Sequence, residues 1–154
     1  MIRACLAVLL GTAIGLSAGG VALAAEPEPP DGPESMVDAI NEVRARHDLA
    51  PLRRDPALCR SSGAYARRLI ETGAFGHAGS IRAAGTFSRL GEVLAMHRGA
   101  EARRRNTVQR WLGSPSHRAL ILSPVFRFAG GGRDVGRFWG AQTTIWVVQL
   151  GSRW

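Results

Sequence analysis

The first half of the chain repeats apolar residues at the spacing of two amphipathic helices. The first is predicted over Ser35–His47, with its serine as N-cap and a partly buried, hydrogen-bonded His47 at its end. The second is predicted over Asp55–Thr72, because aspartate is a favourable N-cap and Gly73 can end the helix in the left-handed conformation. The inner stripe of this second helix is Leu58, Ser62, Ala66 and Leu69 or Ile70.

Two shorter helices are predicted after residue 100. The first covers Ala100–Leu112 and turns a run of arginines outward as a solvated face. The second has Ser114 as N-cap and Pro115 at its first position, and it ends near Ile121. His117 lies one turn into this helix, so the rigid start fixes the direction of its side chain. The outward arginines of the longer helix are Arg103, Arg104 and Arg105.

The remaining apolar segments predict a small sheet. Gly91–Ala95 is a short strand or sheet edge, and Val125–Leu150 supplies a strand and its return. The glycines at 130–132 allow a bulge or a close approach. Thr143–Leu150 is apolar at both odd and even positions, so both faces of this strand should be covered. We therefore predict an α+β fold, a three-layer α-β-α sandwich with a small antiparallel sheet between helices.

The N-terminus has the pattern of an export signal. A basic start, an apolar run and small residues at a peptidase spacing predict a signal peptide over residues 1–24, cleaved after Ala24 or, alternatively, after Ala25. Residues 25–33 are acidic and rich in proline, which is typical of an extended linker. One domain is expected over residues 34–151. After cleavage we expect a secreted or extracytoplasmic protein, monomeric and without a membrane span.

The charge of the chain indicates its partners, and its cysteine content bears on disulfide bonds. The formal charge is +8, and every one of the 20 basic side chains is arginine. Two explanations are open: codon usage in a GC-rich genome, which we favour, and recognition of phosphate or carboxylate, which the planar guanidinium group binds better than lysine does. Anionic envelope polymers and lipid head groups are therefore expected partners, whereas an exported chain is not expected to meet nucleic acid. Cys59 would be alone in the mature chain, which excludes an internal disulfide; we expect it to be a small buried side chain.

Several motifs together resemble the bacterial branch of the CAP superfamily, the cysteine-rich secretory, antigen 5 and pathogenesis-related-1 proteins, also called SCP domains. The resemblance covers roughly residues 34 to 151. The motifs are W-x-x-S-P-x-H-R-x-x-I-L from Trp111, I-N-E-V-R-A-R-H-D-L-A-P-L-R-R-D-P-A-L at Ile40–Leu58, F-G-H at Phe75–His77, and G-E at Gly91–Glu92. The resemblance implies the same α-β-α sandwich.

The resemblance also implies a cleft that brings His77, Glu92 and His117 together. Two neutral imidazoles and a carboxylate match a zinc-like divalent metal site with His77 and His117 as ligands, and Glu92 is either a third ligand or a general base. The same three side chains equally suit a buried hydrogen-bonded cluster that holds the fold together. Two positions depart from the family pattern: Val93 replaces a frequent asparagine, and Ser114 stands where a second acidic residue is often found.

Two functions follow from these features. The first is an exported binding module for a lipid, a peptide or an anionic envelope polymer, with a His/Glu cleft. The second is a metal-dependent hydrolase of peptide or ester bonds that uses His77, Glu92 and His117. The reduced acidic set and the positive charge favour the binding module, and whether the chain is an enzyme stays open.

Overall fold

The computed structural model describes residues 33–83, 87–100 and 104–154. The predicted signal peptide and all of the predicted linker except Pro33 lie outside these residues, as does Arg103. The elements in chain order are α1 (Pro33–Ala45), β1 (Arg53–Arg54), α2 (Pro56–Thr72), β2 (Arg89–Arg98), α3 (Arg104–Leu112), α4 (Pro115–Ile121), β3 (Phe128–Phe138) and β4 (Ala141–Ser152).

A four-stranded sheet lies between two layers of helices, which confirms the predicted three-layer fold. The strand order is β1-β3-β4-β2, and β4 pairs antiparallel with both β2 and β3. The two residues of β1 pair in parallel with β3, so the sheet is mixed rather than wholly antiparallel. A two-residue strand is too short to leave a periodic pattern, and the sequence did not indicate it.

Each face of β4 is covered by a different set of helices. Trp146, Val148 and Leu150 pack in a core that includes residues of α1, α3 and α4. Ile145 and Val147 pack on the other face in a core that includes residues of α2. All five side chains are fully buried, as expected for a strand that is apolar on both faces.

Helix α2 packs directly on the backbone of β3, so of the two alternatives at the glycine run the structure shows the close approach. A Cβ atom at Gly130 would lie 2.1 Å from the backbone nitrogen of Cys59, and one at Gly132 would lie 2.2 Å from the carbonyl carbon of Ser62. The hydroxyl of Ser62 donates a buried hydrogen bond of 2.8 Å to the carbonyl of Gly130. Only glycine permits this separation, so α2 is held at a fixed height above the sheet.

The predicted caps of α2 are confirmed. The carboxylate of Asp55 accepts hydrogen bonds from the backbone N–H groups of Ala57 and Leu58, at 2.9 and 3.1 Å. Gly73 ends the helix with a φ of 65°, in the left-handed region. The inner stripe is also as predicted, because Leu58, Ser62, Ala66 and Leu69 are all buried.

Several local predictions were wrong. Helix α1 begins at Pro33, so Ser35 lies inside the helix and is not its N-cap, and His47 is exposed in the turn that follows. Arg104 is buried rather than turned to solvent, and Cys59 is only partly buried. Strand β2 is longer than the five residues predicted, because its backbone pairs with β4 over ten residues. None of the helices in the described ranges is both long and apolar enough to cross a membrane.

Candidate functional site

Glu92 occupies a buried position on the edge strand β2. It pairs in register with Gln149 of β4, so the two side chains lie next to each other on one face of the sheet. The side chain of Glu92 is only 5% exposed. Burial of a carboxylate is unfavourable unless hydrogen-bond donors surround it, and the structure supplies such donors.

Both oxygens of the Glu92 carboxylate accept hydrogen bonds. Oε1 accepts from the backbone N–H of Ala78 at 3.0 Å and lies 3.2 Å from Nδ1 of His77. Oε2 accepts from Nε2 of Gln149 at 3.0 Å. Because an ionised carboxylate can only accept, His77 is the donor in its contact and carries its proton on Nδ1. This network ties the segment after α2 to the sheet.

The imidazole rings of His77 and His117 lie next to each other beside this hydrogen-bond network. Their ring centroids are 6.2 Å apart. His77 lies in the segment that follows α2, where the hydroxyl of Tyr65 also donates to the carbonyl of Gly76 at 2.8 Å. His117 is placed from the opposite side by α4. Burial lowers the pKa of His117, and the neighbouring His77 lowers it further, so the neutral imidazole is favoured.

The structure thus brings together all three residues singled out from the sequence: His77 contacts both Glu92 and His117. Ser114 stands at the N-cap position of α4, with an extended backbone, but its side chain makes no capping hydrogen bond. Its hydroxyl instead lies 3.3 Å from the hydroxyl of Ser116, so the predicted capping role is only half right.

The side chains at this site fit a divalent metal only in part. Two imidazoles on one zinc ion place their centroids roughly 5–6 Å apart, given Zn–N bonds of about 2.1 Å, so His77 and His117 are close to that spacing. Glu92 holds the other nitrogen of His77, as a residue that orients a metal ligand does. Within the described ranges, however, no group of three or more His, Cys, Asp or Glu side chains is arranged to hold a metal ion. A third protein ligand of that kind is therefore missing from the described part of the chain.

An open cleft of about 780 Å³ adjoins this network. One wall is the outer side of α2, the other is the segment from Ala74 to Arg82, and Gln149 and His77 connect them. Small side chains alternate with basic and hydroxyl-bearing ones along the walls. The lining residues used below are Arg60, Ala64, Tyr65, Arg68, Arg82 and Gln149.

Most of these lining residues were missed from the sequence. Arg60 and Arg68 are exposed on α2, but nothing in their spacing showed that they border a cleft. A signal was available for Gln149, which is a polar residue in the otherwise apolar run I-W-V-V-Q-L. A polar side chain in a strand covered on both faces needs a partner, and that partner is Glu92.

This chain belongs to the CAP family, described as the cysteine-rich secretory protein family, whose model matches residues 37–150. The match takes in α2, the His77–Glu92 network and nearly all of the sheet, which agrees with the resemblance found in the sequence.

Solved structures share the fold at low sequence identity. An outer surface protein of Borrelia burgdorferi is 24% identical, with a TM-score of 0.65 over 79% of this chain and 92% of its own. A cysteine-rich secretory protein of Staphylococcus aureus is 16% identical, with a TM-score of 0.59 over 84% of this chain and 40% of its own. An extracellular protein of Bacillus anthracis that contains an SCP domain is 22% identical, with a TM-score of 0.53 over 80% of this chain and 45% of its own.

The chain thus spans less than half of the Staphylococcus and Bacillus proteins but almost all of the Borrelia protein. A search of curated protein sequences gave no match. These likenesses define the fold, and function has to be argued from the site.

Proposed function

We propose that this protein is an exported CAP-family binding module that takes up a ligand in the cleft beside His77. The observation that carries the proposal is the cleft itself: its volume of about 780 Å³ is typical of small-molecule sites, and it is open to solvent along α2. The lining mixes small apolar side chains with hydroxyl and charged groups, which suits a ligand that has both polar and apolar parts.

The state of Glu92 favours binding over hydrolysis. A general base needs a carboxylate oxygen that can approach a water or a substrate proton. Here both oxygens are held by hydrogen bonds and the side chain is buried. The carboxylate therefore acts as an anchor for His77 and Ala78, which border the cleft. The metal-dependent hydrolase, which needs Glu92 as base or as third ligand, has less support.

Export is part of the proposal. It rests on the apolar N-terminal run with small residues before Ala25, and it agrees with the names of the Borrelia and Bacillus structures, which are described as outer-surface and extracellular proteins. We expect the mature protein to begin at Ala25 or Glu26. N-terminal sequencing that finds Met1 in secreted material would contradict export by this signal.

One experiment distinguishes binding from hydrolysis. The purified mature protein is incubated with an organic-soluble extract of a bacterial cell envelope, with and without EDTA. The protein is separated by gel filtration, and both the bound fraction and the free extract are analysed by mass spectrometry. We expect one species, chemically unchanged, to be retained in equimolar amount, with or without EDTA. Retention of nothing, or accumulation of products that EDTA prevents, would contradict the proposal.

A further inference from the structure

The fully charged side chains that line the cleft are all basic. Arg60 and Arg68 of α2 border it on one side and Arg82 on the other, and no aspartate or glutamate of the described residues lines it. None of these three guanidinium groups has an ion-pair or hydrogen-bond partner among residues 33–83, 87–100 and 104–154. Two arginines outside the cleft, by contrast, form ion pairs: Arg54 binds Asp38, and Arg153 binds Asp55.

The spacing of the basic groups leaves room for a ligand between them. Arg60 and Arg68 are eight residues apart on one helix, which separates their Cα atoms by roughly 12 Å along the axis. Ala64 lies halfway between them and lines the same cleft, and its small side chain leaves space above the helix at that point. The planar guanidinium group binds phosphate and carboxylate oxygens through two parallel hydrogen bonds.

Exposed arginines alone would be ordinary surface charges, but the cleft contains a second polar feature. Gln149 is only 1% exposed and lines the cleft, and its Nε2 is committed to the Glu92 carboxylate. Glu92 can only accept, so the orientation of the amide is fixed by that bond. The amide oxygen Oε1 is consequently left as a buried acceptor without a partner in the described part of the chain.

A buried acceptor without a partner is unfavourable, and few such atoms occur in native proteins. A donor group of a bound ligand would supply the missing hydrogen bond. His77 also borders the cleft and holds its proton on Nδ1 toward Glu92, so its Nε2 is a second acceptor on the ligand side. Gln149 and His77 thus offer hydrogen-bond acceptors to a ligand in the cleft, whereas the three arginines offer positively charged donors.

We infer that the cleft binds a small anionic ligand whose phosphate or carboxylate group lies among Arg60, Arg68 and Arg82, and whose hydroxyl or amide group donates to Gln149. This inference rests on the proposed function and names the chemistry of the ligand. The guanidinium groups and the acceptor groups bind two parts of one molecule, so charge supplies affinity and the acceptors supply discrimination.

Four small probes separate these two contributions in titrations followed by backbone amide NMR shifts at low salt. Glycerol 3-phosphate and glycerate each carry an acidic group and a hydroxyl, propyl phosphate lacks the hydroxyl, and glycerol lacks the charge. We expect saturable shifts along α2 and around Ala78 with one or both of the hydroxyl-bearing anions, and none with glycerol. Comparison of the phosphate with the carboxylate identifies the acidic group, and propyl phosphate should bind more weakly than glycerol 3-phosphate.

Charge-neutral variants on one helix provide a matched comparison. Arg68→Gln should weaken binding of the preferred anion at least about tenfold, because it removes charge-assisted hydrogen bonds. Arg67→Gln removes the same charge from the adjacent exposed position, which does not line the cleft, and should leave binding nearly unchanged. Gln149→Leu should remove the preference for glycerol 3-phosphate over propyl phosphate.

Equal weakening by Arg67→Gln and Arg68→Gln would show attraction to the whole basic surface and would overturn the inference. So would wild-type protein that binds none of the anions, or that binds propyl phosphate as well as glycerol 3-phosphate. Because these probe comparisons use the unaltered chain, they decide the matter even if Gln149→Leu fails to fold. An uncharged envelope species retained in the cleft would overturn this inference while leaving the proposed function intact, whereas retention of no species would remove the proposed function itself.

Discussion

The amide of Gln149 donates a 3.0 Å hydrogen bond to the carboxylate of Glu92 across two paired strands. This pair lies at the centre of the candidate site because Glu92 also holds His77 and Ala78. The carboxylate therefore joins β2, β4 and the segment after α2. The first role of the Glu92 carboxylate is structural. It positions His77 and Ala78, and both of these residues line the cleft.

Replacement of the carboxylate should destabilise the fold. In Glu92→Gln the charge-assisted hydrogen bonds of the carboxylate are lost, and the new NH2 group finds an acceptor only if the Gln149 amide turns over, so we expect a loss of about 1–3 kcal/mol in the free energy of unfolding, measured in urea. Glu71→Gln is the control, because Glu71 is exposed on α2 and should tolerate the change. Equal stability of Glu92→Gln and the wild type would show that the network contributes nothing to folding.

Acidification should also destabilise the protein through His117. Its pKa is lowered by burial and by His77, so the unfolded chain takes up this proton at a higher pH than the folded one. Stability should therefore fall as the pH drops below the unfolded value near ~6.5. The pKa of His97 is also lowered, by burial and then by Arg110, and it adds to the same slope.

Urea unfolding at about pH 7.5 and about pH 5.5 measures this effect. His117→Gln cannot take up the proton and should lose less stability between the two conditions than the wild type. His47→Gln, which changes an exposed histidine in the turn after α1, should behave as the wild type does. An unchanged pH dependence in His117→Gln would contradict the assignment.

Two glycine-to-alanine variants at the contact between α2 and β3 should change the free energy of unfolding in opposite directions. A Cβ at Gly132 would lie 2.2–2.4 Å from backbone atoms of Ser62 and Gly63, so Gly132→Ala should force the helix off the strand and cost more than about 2 kcal/mol. Gly63 is helical and has open space, so Gly63→Ala should stabilise by about 0.5–1 kcal/mol. Denaturant melts check both, and destabilisation by both variants would mean that the helix lies differently.

Zinc titration tests the two histidines. With His77 and His117 as ligands and no third ligand among the described residues, we predict weak zinc binding that decreases at acidic pH, because protonated imidazole cannot bind a metal. Ser114→Glu would add an acidic side chain at the position where the family often has one, and should strengthen binding. His117→Ala should abolish it. Calorimetry that gives equal affinity for the wild type and His117→Ala would exclude a site at these residues.

The sequence predicted the elements whose pattern is local. The two-sided apolar run of β4 and the caps of α2 each follow from the chemistry of a few adjacent residues, and the structure confirms both. For the glycines of β3 the sequence left a bulge and a close approach open, and the structure shows the close approach. The closeness of His77, Glu92 and His117 was implied only by family resemblance, because no local pattern tells how three separate elements meet.

Some features could not be predicted from the sequence because they depend on distant partners. Arg44 is completely buried within α1, where its guanidinium group donates to the carbonyls of Ile121 and Ser123 at 2.7 and 3.0 Å. These acceptors are backbone groups 77 and 79 residues away, so no side-chain pattern reveals them. The cleft was missed for a similar reason, since its two walls meet only through the placement of α2 on the sheet.

The most direct test of the account is to fill the cleft and measure ligand retention. Ala64 is exposed and lines the cleft, so Ala64→Trp should block it without disturbing the core, while Ala45→Trp adds the same side chain at an exposed position at the end of α1. After incubation with the envelope extract, we expect Ala45→Trp to retain the same species as the wild type, in equal amount, and Ala64→Trp to retain none. Equal retention by both variants would place the ligand elsewhere and contradict the assignment of this cleft.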